Sequence, residues 1–248
     1  MKDSLHHQIL QQIKKNSGKG TAHTFLDNYL GNNHFRYPIS APVLRRIAKD
    51  WMNDHRDLGA GDFASLLTDL VESSSGTEKS MAGILLDYAT ADQRKFKPAL
   101  FDRWLNHLEG WAEIDAVCTG RYSATEVVNQ WNKWKPLLIK FSKSKNINKR
   151  RASIVFFCSP LSKIENKEIS TTALQIVDTL KFEREILITK AISWVLRSMV
   201  RYNREMVETY LKENAASLPK IALRETLVKL ETGKKTKKAK SLKQKARG

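Results

Sequence analysis

The chain has 248 residues, 41% of them hydrophobic, enough for one sizeable folded domain. Its formal net charge of +17, from 43 Lys and Arg against 26 Asp and Glu, points to a polyanionic partner. No apolar run approaches the roughly 20 residues of a membrane span, and the opening MKDSLHHQILQQIKK lacks the apolar block of a secretory signal; the expectation is a cytoplasmic protein with no membrane partner.

Taken in chain order, the apolar residues keep helical spacing, and nothing alternates between hairpin turns. His6 and His7 read as surface residues rather than ligands. Gly31 reads as a helix stop, and Ser40-Ala41-Pro42 as a helix start with proline in the first turn. Gly59 to Asp62 and Ser73 to Thr77 punctuate the next segments, and Ser80 to Tyr88 continues as helix. Gly110 and Gly120 interrupt the pattern on either side of Trp111 and Asp115. Ile154 to Cys158 is strand-like in composition. It reads as buried helix, because the segment from Ile147 onward is long and has no breaker.

About a dozen helices with short links form the profile of an all-α solenoid. No strict sequence period emerges, so any repeats are degenerate. Each pair reads as an outer helix followed by an inner one, and a curved stack of such pairs gives a concave groove suited to an extended partner. The expected organisation is one helical-repeat domain over 1–231 and a disordered Lys-rich tail over 232–248, TGKKTKKAKSLKQKARG, with eight Lys or Arg and no acid. Without that tail, 35 basic against 26 acidic residues still leave a net +9.

Cys118 and Cys158 stand far apart in apolar segments, which fits buried free thiols in a reducing compartment. No Gly-rich phosphate loop, His/Cys metal spacing or Ser–His–Asp order appears, so neither cofactor nor metal is expected.

Three stretches carry candidate chemistry. In ILITKAISWVLR, Ile188, Ile192, Val195 and Met199 share the side of a helix that should be buried. Lys190, Trp194, Arg197 and Arg201 fall nearly opposite, an indole in a row of cations. Such a face suits nucleic acid, where phosphates meet the cations and sugars or bases the ring; alternatively, Trp194 packs on a neighbouring helix and the cations are solvated. In GWAEIDAVC, Trp111 and Asp115 are four apart and share a helical face with Cys118 beside them. In NKRRASIVFFC, Arg151 shares its face with Ile147, Val155 and Cys158, so its charge should be paired with a carboxylate, Asp115 or a glutamate, or with a ligand phosphate.

These blocks, GWAEIDAVC, SKNINKRRASIVFF and ILITKAISWVLR, together with a weaker LPKIALRETLVKL, resemble the AlkD-like DNA alkylation repair family. That resemblance implies HEAT-like helical repeats with a concave basic groove. It also implies a monofunctional DNA glycosylase that excises positively charged alkylated purines, N3-alkyladenine and N7-alkylguanine, from double-stranded DNA. By the same resemblance Trp111, Asp115, Arg151 and Trp194 are the DNA-facing functional residues. Arg151 is preferred to Arg150 because it stands immediately before Ala-Ser. One departure is Asn148, where the family often has a tryptophan.

On this reading a cationic base is already a good leaving group. Asp115 would stabilise oxocarbenium character on the sugar and position a water, and Trp111 and Trp194 would offer π faces. Arg151 would hold a backbone phosphate, and Arg150, Lys190, Arg197 and Arg201 would complete the DNA-binding cations. The resemblance further implies no base-flipping pocket, in contrast to most base-excising enzymes, and a monomer is expected. The alternative is a non-catalytic protein of the same scaffold that binds branched or distorted DNA; a helical scaffold for another protein is a third reading.

Overall fold

The computed structural model describes residues 4–19 and 33–235, and among these the regular structure is helical. The expected stop at Gly31 and residues 236–248 of the basic tail lie outside the described residues. In chain order the helices are α1 (Leu5–Lys15), α2 (Ala41–Asp54), α3 (Ala60–Glu72), α4 (Gly76–Tyr88), α5 (Leu100–Trp104), α6 (Gly110–Cys118) and α7 (Gly120–Asn129). Then follow α8 (Trp131–Ser142), α9 (Ile147–Val155), α10 (Cys158–Leu161), α11 (Lys167–Leu180), α12 (Ile186–Met199), α13 (Arg204–Asn214) and α14 (Lys220–Thr232).

Local chemistry sets many of the helix ends. Ser4, Ser75, Asn146 and Asn166 each accept a backbone N–H at the start of a helix, supplying an acceptor for otherwise orphaned donors. Pro42 sits in the first turn of α2, as read from the sequence. Gly110 and Gly120 adopt φ of 64° and 84° and open α6 and α7, so the breaks there are sharp left-handed turns. Gly233, at φ 69°, closes α14 with its N–H on the Lys229 carbonyl.

The helices pair as outer and inner layers. α4, α6, α9, α12 and α14 lie one against the next in an inner row, with α2 packed on α4 at its start. α3, α8 and α11 each pack on the inner helix that follows, and α13 borders α12. The short α7 and α10 pack on each other, α7 also on α4 and α10 also on α12. This is an α-solenoid of helical repeats, and its period is visible in side-chain bonds rather than in sequence identity. Thr68–Trp104, Glu72–Arg103, Arg94–Glu126, Lys135–Glu168, Arg150–Glu183, Ser170–Asn203 and Ser193–Glu225 join residues 31 to 36 apart. The partner types change at each level, which is why no repeat shows in the chain.

One apolar core runs the length of the stack. Near its centre Phe96, Phe101, Trp104, Tyr122, Trp134 and Phe156 form a contiguous aromatic cluster with ring centres between 4.6 and 6.3 Å apart. Cys118 and Cys158 are buried free thiols, as expected, and burial pushes both well up from the ordinary thiol value. α4 and α6 meet closely at Gly83: a Cβ there would lie 2.1 Å from the Ala116 carbonyl oxygen. His6 departs from the surface reading, since its ring bonds the buried Glu78 carboxylate at 2.7 Å.

Candidate functional site

The site begins with the orientation of α6. Glu113, buried on its inner side, accepts the Glu109 backbone N–H at 2.8 Å and the His34 ring at 2.9 Å, which fixes the first turn. Ile114, Val117 and Cys118 complete the buried side. Trp111 and Asp115 are left together on the half-open side, one turn apart.

Asp115 meets Arg151 of α9 in a two-pronged pair. Arg151 Nε donates to Oδ1 at 3.0 Å and Nη2 to Oδ2 at 2.8 Å, while Nη1 donates to the Leu187 carbonyl of α12 at 2.5 Å. Both carboxylate oxygens accept, as an ionised group does. Arg151 is 3% exposed, and its charge is thus spent inward on Asp115 and α12; a phosphate on this fork would have to displace the carboxylate. The Asp115 side chain keeps 14% exposure. Burial raises its carboxyl above the usual aspartate value, and the Arg151 charge and hydrogen bonds pull it back part of the way.

Of the two sequence alternatives for Arg151, the carboxylate is the partner seen. One guanidinium therefore ties three consecutive inner helices, α6, α9 and α12, through residues 36 apart on each side.

On α12, Ile188, Ile192, Val195 and Met199 are fully buried, as the spacing predicts. Trp194 is half-buried: it packs partly on the core and opens on a recess of about 330 Å³ shared with Ser162, Arg197, Arg201, Lys229 and Lys235. The row of cations is not uniform. Arg197 lies 3.4 Å from Glu225 of α14 and donates to Ser193 at 3.2 Å. Glu225 also accepts the Ser193 hydroxyl at 2.6 Å. Arg201 is exposed, with its guanidinium 5.1 Å from the Tyr202 ring centre. Lys190 is half-buried with no acidic partner among the described residues.

Arg150 forks onto Glu183 at 2.8 and 3.1 Å and donates to the Ser144 and Lys145 carbonyls, so it welds two neighbouring turns. Asn148 donates its backbone N–H to the Asn146 cap at 2.8 Å.

The structure thus brings Asp115 and Arg151 into contact, with Trp111 one turn before Asp115. Trp194 lies two turns along α12 from Leu187, roughly 10 Å of helix. Sequence reasoning did not find Glu183, Glu225, Ser193 or the Leu187 carbonyl as partners. For the two glutamates the available signal was an acid roughly one repeat beyond a half-buried arginine. No group of three or more His, Cys, Asp or Glu is placed to hold a metal among the described residues, and none of their helices is long and apolar enough to cross a membrane.

Comparison with known proteins bears on the fold and the family. A solved structure, "Predicted DNA alkylation repair enzyme from Enterococcus faecalis", superposes with a TM-score of 0.64 over 81% of this chain and 91% of that one; at 17% identity the likeness is one of fold. No curated protein matches the chain. The family model for DNA alkylation repair enzymes matches residues 9–230, which include α6, α9, α12 and nearly all of α14. The chain belongs to the DNA alkylation repair enzyme family.

Proposed function

We propose that the protein is a monofunctional DNA glycosylase that hydrolyses the N-glycosidic bond of cationic alkylated purines, N3-alkyladenine and N7-alkylguanine, in duplex DNA. The observation that carries this reading is the Asp115 carboxylate, largely buried but 14% exposed, one turn after Trp111 and held in one orientation by Arg151. A cationic base departs without a strong general acid, so the chemical demand falls on the sugar. A fixed anion beside the developing oxocarbenium centre lowers that barrier without reorganising, and the same oxygens can orient the attacking water. Trp111 and Trp194 supply π faces to the positive sugar and lesion.

Arg151 acts as a positioning residue, holding the carboxylate, since three of its donors are spent on Asp115 and Leu187 and it is 3% exposed. Phosphate contacts fall first to Arg201 and Lys190, whose charges face no acid among the described residues; Arg197 and Arg150 shape the wall they occupy. The reading carries with it a HEAT-like stack with duplex DNA along a basic concave side, and a cytoplasmic monomer.

The test is release of free 7-methylguanine and 3-methyladenine from methylated duplex DNA. The wild type is expected to release both above the spontaneous rate, and Asp115→Asn about 100-fold more slowly, the usual scale for losing one electrostatic stabiliser. Equal release by Asp115→Asn overturns the role of the carboxylate. A wild type that releases nothing yet binds DNA junctions, with affinity unchanged in Asp115→Asn, is the non-catalytic alternative.

A further inference from the structure

The recess at the end of α12 gathers cations from separate elements. Arg197 and Arg201 reach it from α12, Lys229 from α14, and Lys235 from just beyond α14. No Asp or Glu lines it among the described residues. Glu225, behind Arg197, is buried and already engaged by Arg197 and the Ser193 hydroxyl. Glu165 and Glu231, the acids nearest to the lining in sequence, are exposed; Glu231 stands two residues past Lys229, about 200° round α14.

The donors around the recess divide into spent and available. Ser162 and Ser198 give their hydroxyl protons to the Ser159 and Trp194 carbonyls at 2.8 and 3.0 Å, and Lys229 gives one N–H to the Gly233 carbonyl at 2.6 Å. An ammonium carries three N–H groups, so Lys229 keeps the others. The Arg201 guanidinium meets only the face of the Tyr202 ring, and the Lys235 ammonium bonds nothing among the described residues. Three cations with donors to spare and no lining carboxylate suit an oxyanion.

The recess is continuous with the wall read as meeting DNA. Of its lining residues on α12, Trp194 lies nearest to Leu187 and the Asp115 pair, and Arg201 farthest. Seven residues separate them, so they share a stripe and stand roughly 10 Å apart along the axis. At about 3.4 Å per nucleotide of one strand, that is about three steps. We propose that the recess seats one backbone phosphate of the duplex, about three nucleotides from the lesion, and so fixes the register of the DNA on the α14 side of the site. The seat rests on the DNA-repair reading and adds to it a remote anchor distinct from the contacts at the lesion.

The test titrates the full chain into duplexes that carry a tetrahydrofuran abasic site and one neutral methylphosphonate, moved step by step along both strands. The wild type is expected to lose about ten-fold in affinity at one position about three nucleotides from the abasic site, the scale of one hydrogen bond to a charged group. Arg201→Gln/Lys235→Gln should bind the unmodified duplex about ten-fold more weakly, with a log–log salt slope shallower by about 0.9, and lose nothing further at that position. Neither side chain bonds within the protein beyond the Tyr202 ring, so the double variant should melt with the wild type. Lys212→Gln, an exposed cation of α13 outside the recess, should retain the wild-type pattern. If the double variant still loses ten-fold where the wild type does, or the wild type loses it at no single position, the seat falls and the DNA reading stands. If the wild type does not bind the duplex, both fall.

Discussion

The Asp115–Arg151 pair is the part of the molecule where a perturbation is most informative. Its side chains are 14% and 4% exposed, and the guanidinium spends three donors within the protein. Arg151→Met leaves a largely buried carboxylate without a counter-charge and the Leu187 carbonyl without a donor, a loss of about 3–5 kcal/mol for breaking a buried pair from one side. Residual exposure of Asp115 places it toward the lower figure. Asp115→Leu strands the guanidinium instead, and the cost should be similar. The double variant removes both charges, and what remains is the orphaned carbonyl, worth about 1–3 kcal/mol.

The double variant should therefore be at least about 3 kcal/mol more stable than the two single losses added together. At roughly 2–4 °C per kcal/mol for a chain of this size, each single change lowers the melting temperature by about 6–20 °C. Urea and thermal unfolding measure the cycle, and additivity within about 0.5 kcal/mol refutes the coupling. A second readout separates positioning from stability. Arg151 is the group that pulls the Asp115 carboxyl down against burial. Activity that needs the anion is lost as pH falls through the raised aspartate value. Its acidic limb should move to higher pH in Arg151→Met, and an unmoved limb means Arg151 does not act through Asp115.

Gly83→Ala places a methyl against the Ala116 carbonyl and should separate α4 from α6. The expected loss is about 1–3 kcal/mol by calorimetry, with a fall in base release as Asp115 shifts, and an unchanged melt would contradict the close approach. His6 is raised above 6.5 chiefly by its bond to Glu78. Because the folded value is the higher one, the stability it adds is complete below 6.5 and is lost as pH rises through the folded value. His6→Gln should therefore melt below the wild type at about pH 6 and with it by about pH 9; a gap that widens with pH would reverse the assignment.

The inner helices were legible in the chain wherever one face is continuously apolar. Ile188, Ile192, Val195 and Met199 define α12 and its buried side without help from any neighbour. Gly110 and Gly120 were legible as breaks, and their positive φ explains why glycine stands there. The pairings were not. Arg197 and Arg201 look alike along a helix, yet one lies against Glu225 and the other is exposed, because what distinguishes them belongs to α14. Arg150 and Arg151 are adjacent and point to different elements, one to Glu183 in the turn before α12 and one to Asp115 on α6. Period and spacing assign a residue to a face; they do not name the group that a later helix lays against it.

The tie from Asp115 through Arg151 to Leu187, two steps of 36 residues, has a bearing on motion as well as chemistry. In a linear array each level normally senses only its neighbours, so opening can start anywhere and stop after one step. A single side chain that buckles three levels makes them open together or stay shut. Amide exchange should then be slow and nearly uniform from α6 to α12, and faster toward both ends of the stack. The centre of the array would keep its shape while the outer levels flex.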